Sequence, residues 1–179
     1  MRLLLCVLIV GGLSACSTYV TPRYSLSADT NLALKSLGAS NVAVGSFSGP
    51  PNFDSACRAA GPLATPDGMS HAAYIKKALE DELKVAGAYA ASSPRVTLSG
   101  VVNRLDFSSA RAITGGAWSI DLTLTSSNGK SMLASEHYEF ESGYGAETAC
   151  KQTAEAFMPA VQDLVAKIVR ATEFRSLTQ

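Results

Sequence analysis

Residues 118–125 alternate without a fault. Trp118, Ile120, Leu122 and Leu124 share one parity, and Ser119, Asp121, Thr123 and Thr125 share the other. Side chains switch faces at every step of a strand, so this is a strand with one face for a core and one for water. Ser126-Ser127-Asn128-Gly129 then signals a hairpin, and residues 130–141 return with Met132, Ala134, Tyr138 and Phe140 on one face. Parity selects the turn. A two-residue Asn-Gly loop would set Leu124 opposite Leu133 and send Tyr138 and Phe140 to the wrong side. A three-residue loop, Ser127-Asn128-Gly129, sets Leu124 against Met132, Leu122 against Ala134 and Trp118 against Tyr138. Gly129 then takes the left-handed position of a type I turn with a G1 bulge.

Other elements follow from the same reasoning. Residues 41–47 read as a strand with Val42, Val44 and Phe47 as core candidates, followed by a Pro, Gly and Ala-rich loop to about Met69 that carries Cys57 and Arg58. Ser70 is placed to cap a helix whose apolar stripe is Ala73, Tyr74, Ala78, Leu79, Leu83 and Ala86, with Ile75 beside it and Gly87 as its stop. Residues 95–108 form a long strand in which Val96 and Leu98 have one parity and Leu105 and Phe107 the other. Both sets reach one core only with an extra residue, so a bulge is expected between Gly100 and Asn103. Residues 146–172 form a helix with Ala154, Phe157, Val161, Leu164, Val165 and Ile168 inward, and Pro159 should end or kink it near 157–158. The expected fold is α+β: a two-layer sandwich with a mixed or mostly antiparallel sheet of about four strands, two helices on one face, and the order β-α-β-β-β-α.

The chain opens differently. Arg2 precedes an apolar run from Leu3 to Leu13, relieved only by Gly11 and Gly12, and ending in Leu13-Ser14-Ala15-Cys16. A positive start, a short apolar stretch and small residues before a cut mark a secretory leader. About 11 apolar residues fall short of the roughly 20 that span a bilayer as a helix. Leu13-Ser14-Ala15-Cys16 resembles the lipobox of bacterial lipoproteins. The resemblance implies removal of residues 1–15, a diacylglycerol on the Cys16 thiol and an acylated new amino terminus such as palmitate. Ser17 after the cysteine, rather than Asp, points to the outer membrane, with the domain facing the periplasm. Residues 16–40, rich in Ser, Thr and Ala, then read as the lipidated N-terminus with a tether and a loosely packed lead-in. Within them Tyr24 and Leu26 suggest a short edge strand and residues 31–37 a turn or two of helix. Residues 41–179 form one domain.

Charge and cysteines narrow the functional classes. Lys plus Arg and Asp plus Glu are 15 each, and the leader carries away only Arg2, which leaves one net negative charge. No basic patch suggests nucleic acid. Of four cysteines, Cys6 leaves with the leader and Cys16 takes lipid. Cys57 and Cys150 remain in an exported chain, where thiols tend to pair. A Cys57–Cys150 disulfide is expected, with two separately buried thiols as the alternative.

Convergent chemistry is sparse. His71 and His137 lack ligand-spaced partners and read as solvent-exposed or locally bonded, so no metal is expected. There is no nucleophile-elbow, phosphate-loop or Cys-x-x-Cys motif. Glu80, Asp81 and Glu82 read as a solvated helix face, and Glu136, Glu139 and Glu141 as strand surface. Trp118, Tyr138 and Phe140 either line a ligand groove or pack against the helices, and packing is the better reading. Residues 110–116 are a further, weaker candidate for a contact loop. The arrangement resembles small envelope-accessory lipoproteins: the lipopolysaccharide-assembly, ABC-transporter auxiliary and peptidoglycan-synthase activator types. What this implies is a non-enzymatic accessory or binding subunit of a cell-envelope complex, without a cofactor, held to the membrane by lipid on Cys16 and contacting an envelope protein. The alternative is a carrier of a small apolar ligand or lipid between sheet and helices.

Overall fold

The computed structural model describes residues 17–111 and 114–179. In chain order these form β1 (Tyr19–Val20), α1 (Ala28–Leu37), β2 (Val42–Ser48), β3 (Ala56–Cys57), β4 (Gly61–Ala64), α2 (His71–Val85), β5 (Val96–Arg111), β6 (Gly115–Ser126), β7 (Ser131–Glu141), α3 (Ala146–Arg170) and α4 (Thr172–Leu177). The leader, the lipobox and Cys16 lie outside the described residues, as do two residues of the 110–116 stretch.

The main sheet has the order β2-β5-β6-β7. β2 runs parallel to β5, with α2 between them in sequence, and the other pairs are antiparallel. The four main-sheet strands with α2 and α3 follow the expected order β-α-β-β-β-α, while β3, β4 and α4 are additions to it. The β6–β7 register sets Trp118 against Tyr138, Leu122 against Ala134 and Leu124 against Met132. Gly129 has φ +85°, and its N–H donates to the Ser126 carbonyl at 2.9 Å. The register between β5 and β6 shifts between Val102 and Arg104, so Asn103 is the extra residue that turns Leu105 and Phe107 to the core side.

One face of this sheet carries the core. Val42, Val96, Leu98, Val102, Leu105, Ile120, Leu122 and Leu124 are buried, and Trp118 is fully buried against α3. From α2 come Tyr74, Ile75, Ala78, Leu79 and Leu83, and from α3 come Phe157, Val161, Leu164, Val165 and Ile168. Each large side chain so buried contributes about 1.5–3 kcal/mol. Ser70 caps α2 by accepting from the Ala73 N–H at 3.1 Å. Ile75, read as lying beside the stripe, is wholly inside it. Helix α3 continues through Pro159 instead of ending there. Proline removes one donor, and the carbonyl four residues back belongs to Glu155, which is exposed and open to water.

The largest departure from expectation is the segment 17–40. It is packed onto the helical layer instead of hanging as a tether and loose lead-in. β1 pairs parallel with β4, which pairs antiparallel with β3, giving a second, three-stranded sheet whose β3 and β4 lie in what the sequence suggested was a plain loop. The short strand falls at Tyr19–Val20, not at Tyr24 and Leu26. α1 begins earlier than residue 31, because Ser27 caps it by accepting from the Thr30 N–H at 3.3 Å. Leu34 of α1 is buried in the common core.

Candidate functional site

Glu82 explains why the N-terminal segment is fixed. It stands on the buried stripe of α2, one turn from Ala78 and Leu79, and is fully buried rather than solvated. Its Oε1 accepts from the Tyr24 hydroxyl at 2.9 Å and the Ser27 N–H at 2.7 Å, and its Oε2 accepts from Asn31 Nδ2 at 2.5 Å. Three donors converge on one carboxylate, which satisfies a charge that would otherwise be costly to bury. Burial, then the adjacent Glu82 charge, holds the Tyr24 phenol far above its ordinary pKa. Around this knot Tyr74 donates to the Pro22 carbonyl at 2.8 Å, Gln162 Nε2 donates to the Ser25 carbonyl at 2.6 Å, and Arg23 grips Asp67 through two bonds of 2.6 and 2.7 Å. A cleft of about 250 Å³ lies beside Arg23, Tyr24, Tyr74 and Lys77.

Cys57 of β3 and Cys150 of α3 form a disulfide with Cα atoms 5.8 Å apart. It ties the small sheet to the first turns of α3. Arg58, next to it, donates through Nε to Ser109 Oγ at 2.9 Å and through Nη1 to the Tyr144 carbonyl at 3.0 Å, and it also bonds the Ser109 carbonyl. Arg58 thus joins the β3–β4 turn, the end of β5 and the loop before α3. It meets no carboxylate there.

His71 is not solvent-exposed. It opens α2 inside a cage of rings, with Phe53 at 4.7 Å, Phe157 at 5.0 Å and Trp118 at 6.1 Å between centroids. Its Nε2 has no hydrogen-bond partner, and burial lowers its pKa to about 4. Trp118 Nε1 donates to the Thr153 carbonyl at 2.8 Å, and Phe107 and Phe157 pack on its ring at 5.1 and 4.6 Å. The space beside Trp118 is therefore filled by side chains, which does not favour a ligand groove there.

The other face of the main sheet is uncovered. Val101, Thr123 and Leu133 form one cross-strand row on it, with Val101 50% and Leu133 65% exposed. Nearer the other end Ser119 pairs with His137. Ser119 Oγ is 3.0 Å from His137 Nδ1, while Arg111 Nη1 is 3.1 Å and Glu139 Oε1 3.4 Å from His137 Nε2. Arg111 also bonds Glu139 Oε1, so guanidinium, carboxylate and imidazole form one exposed polar cluster on this face. Glu139 and Glu141 are exposed strand surface, but Glu136 is not. It shares parity with Ala134 and Tyr138, is buried, and has Lys167 Nζ 2.9 Å from Oε2, an ion pair by distance rather than a well-directed hydrogen bond. Among the described residues no three His, Cys, Asp or Glu side chains are placed to hold a metal, and no helix is long and apolar enough to cross a membrane.

No protein-family model matches the chain, and no curated protein matches it in sequence. The chain is similar to several solved structures. A Xanthomonas campestris protein of family DUF330 superposes with a TM-score of 0.58 at 13% identity, over 90% of this chain and 97% of that one. A candidate lipoprotein from Caulobacter crescentus gives 0.38 at 16% identity, over 79% and 93%. A PelC dodecamer subunit from Paraburkholderia phytofirmans gives 0.34 at 15%, over 69% and 89%. The first shares the α+β architecture with this chain, and the other two superpose too loosely to support an argument.

Sequence reasoning missed Glu82 and Glu136 as buried groups and the ring cage around the partly buried His71. A signal for Glu82 was present, since it falls at i+3 from Leu79 and i+4 from Ala78.

Proposed function

We propose that this chain is a lipid-anchored accessory protein of the bacterial cell envelope, working by binding a protein partner rather than by catalysis. The observation that carries the reading is Leu13-Ser14-Ala15-Cys16 behind a short apolar leader. Lipid on Cys16 holds the domain to the membrane, and Ser17 directs it to the outer membrane, facing the periplasm. The open sheet face supports the binding role. It is four strands wide, and its Val101–Thr123–Leu133 row places two exposed apolar side chains within a polar surround. Such a patch suits a protein contact of modest size. The ring-filled space beside Trp118 does not favour the carrier role.

The test has two parts. Intact mass of the mature N-terminus should show a chain beginning at Cys16 with diacylglycerol, and Cys16→Ala should release the protein from the membrane fraction. A photo-crosslinker at Leu133 should capture one defined envelope protein in living cells, while the same group at Lys76 on the opposite layer should not. Equal, diffuse capture from both positions would remove the binding face from the account.

A further inference from the structure

The docked N-terminus has a consequence for where the domain sits. A free tether of about 24 residues would let the domain range up to roughly 80 Å from its lipid. Instead Tyr19 already pairs with Leu63, and Ser17 is seated on Gly61. A Cβ at Gly61 would lie 1.7 Å from the Ser17 carbonyl oxygen, and Gly61 has φ +145°, so glycine is what permits the contact. Only Ser17 and Thr18 separate Cys16 from the first paired residue, which allows no more than about 10 Å of reach.

The surface around Ser17 fits a lipid interface. Ser17 and Tyr19 share a surface depression with Glu147, Thr148 and Lys151 at the start of α3. Gly61 pairs with Cys57, and Arg58 beyond it holds the Tyr144 carbonyl, which brings the 142–145 loop to the same end. That loop is pinned from several sides. Ser142 Oγ donates to the Ser109 carbonyl at 2.7 Å, and the Gly143 N–H donates to Gln152 Oε1 at 2.5 Å. Yet the Tyr144 ring is 84% exposed, the most exposed large apolar side chain among the described residues. A held backbone that projects a bare phenol is the chemistry of an interfacial aromatic, with an apolar ring and a polar tip at headgroup depth.

We propose that this end of the domain rests on the phospholipid surface to which Cys16 is anchored, with Tyr144 seated at the headgroup level. The inference rests on the lipid-anchor reading and adds to it an orientation. The hairpin at Lys130 lies at the other end of β7, about 35 Å away along the strand, and faces the aqueous compartment.

The experiment uses the full-length, processed protein in vesicles of phosphatidylethanolamine and phosphatidylglycerol. With Cys57 and Cys150 paired and Cys16 acylated, Tyr144→Cys and Lys130→Cys each present one free thiol for a nitroxide. The expected result is loss of accessibility to a water-soluble relaxation agent at 144, with full accessibility at 130. If both labels are equally accessible while the protein floats with the vesicles and carries its lipid, the seated orientation is wrong and the anchor stands. If the mature chain carries no lipid at Cys16, the anchor reading falls and this inference falls with it.

Discussion

Helix α3 and the segment 17–37 both lie on the helical layer, but different physics holds each. Of the residues that α3 buries, all but Thr153 are apolar or in the disulfide, and they run the length of the helix. The segment 17–37 buries Thr21, Thr30, Asn31 and Leu34, three of them polar, and is held mainly by bonds to Glu82, to backbone carbonyls and to β4. Apolar packing scales with area and tolerates small shifts. A polar knot depends on a few geometries and on the single carboxylate at its centre. The first kind of attachment makes the fold. The second sets where the N-terminal end of the domain emerges.

The bond that ties the small sheet to α3 is the most sensitive point. The Cys57–Cys150 disulfide closes a loop with a sequence separation of 93. Replacing both cysteines with serine should cost about 4–5 kcal/mol in the chain-entropy model, read as a lower midpoint in denaturant. Phe157→Ala strikes only the apolar attachment. It removes a fully buried ring from the Trp118 and His71 cluster and should cost about 3–5 kcal/mol in one global transition.

Acid sharpens the same contrast. His71 is held at about pKa 4 by burial, against an ordinary 6.5, so the unfolded chain takes up the proton first as pH falls. Stability should be level above pH 6.5 and decline between 6.5 and 4 by no more than about 3 kcal/mol. His71→Phe should flatten that decline, and denaturation midpoints across the window will show whether it does. The smallest expected effect is local. Glu82→Gln keeps the volume but turns an amide toward some of the donors, and should cost about 1–3 kcal/mol. Limited proteolysis should then cut within residues 17–31 while α3 and the main sheet stay resistant. If cleavage instead followed global unfolding, the two regions would not be separable as described.

What was legible in the sequence divides along the same line. Strand parity chose the three-residue turn over the two-residue one, and the change of parity between Leu98 and Leu105 demanded the bulge that Asn103 supplies. Both are period-two patterns written in neighbouring residues. The leader and lipobox reading left Cys57 and Cys150 as the expected pair, and they are joined. The N-terminal docking was not legible, because its information is non-local. Tyr24 lies 58 residues from Glu82 and Arg23 lies 44 from Asp67, and nothing near residue 24 marks a partner. Composition misled there, since Ser, Thr and Ala suit a tether and also suit a segment held through its backbone. Local signals still existed for two groups. Glu82 falls on the α2 stripe and Glu136 falls on the core parity of β7, and in each case a carboxylate at a core position marks a buried polar contact rather than surface.

The account turns on the N-terminal segment being part of the folded domain. Amide hydrogen exchange tests this most directly, at Thr21, whose N–H donates to the Ala64 carbonyl, and at Ser27, whose N–H donates to Glu82. The predicted result is slow exchange at both, lost on Glu82→Gln while β6 remains protected. Exchange at both amides at the rate of an unstructured chain would contradict it.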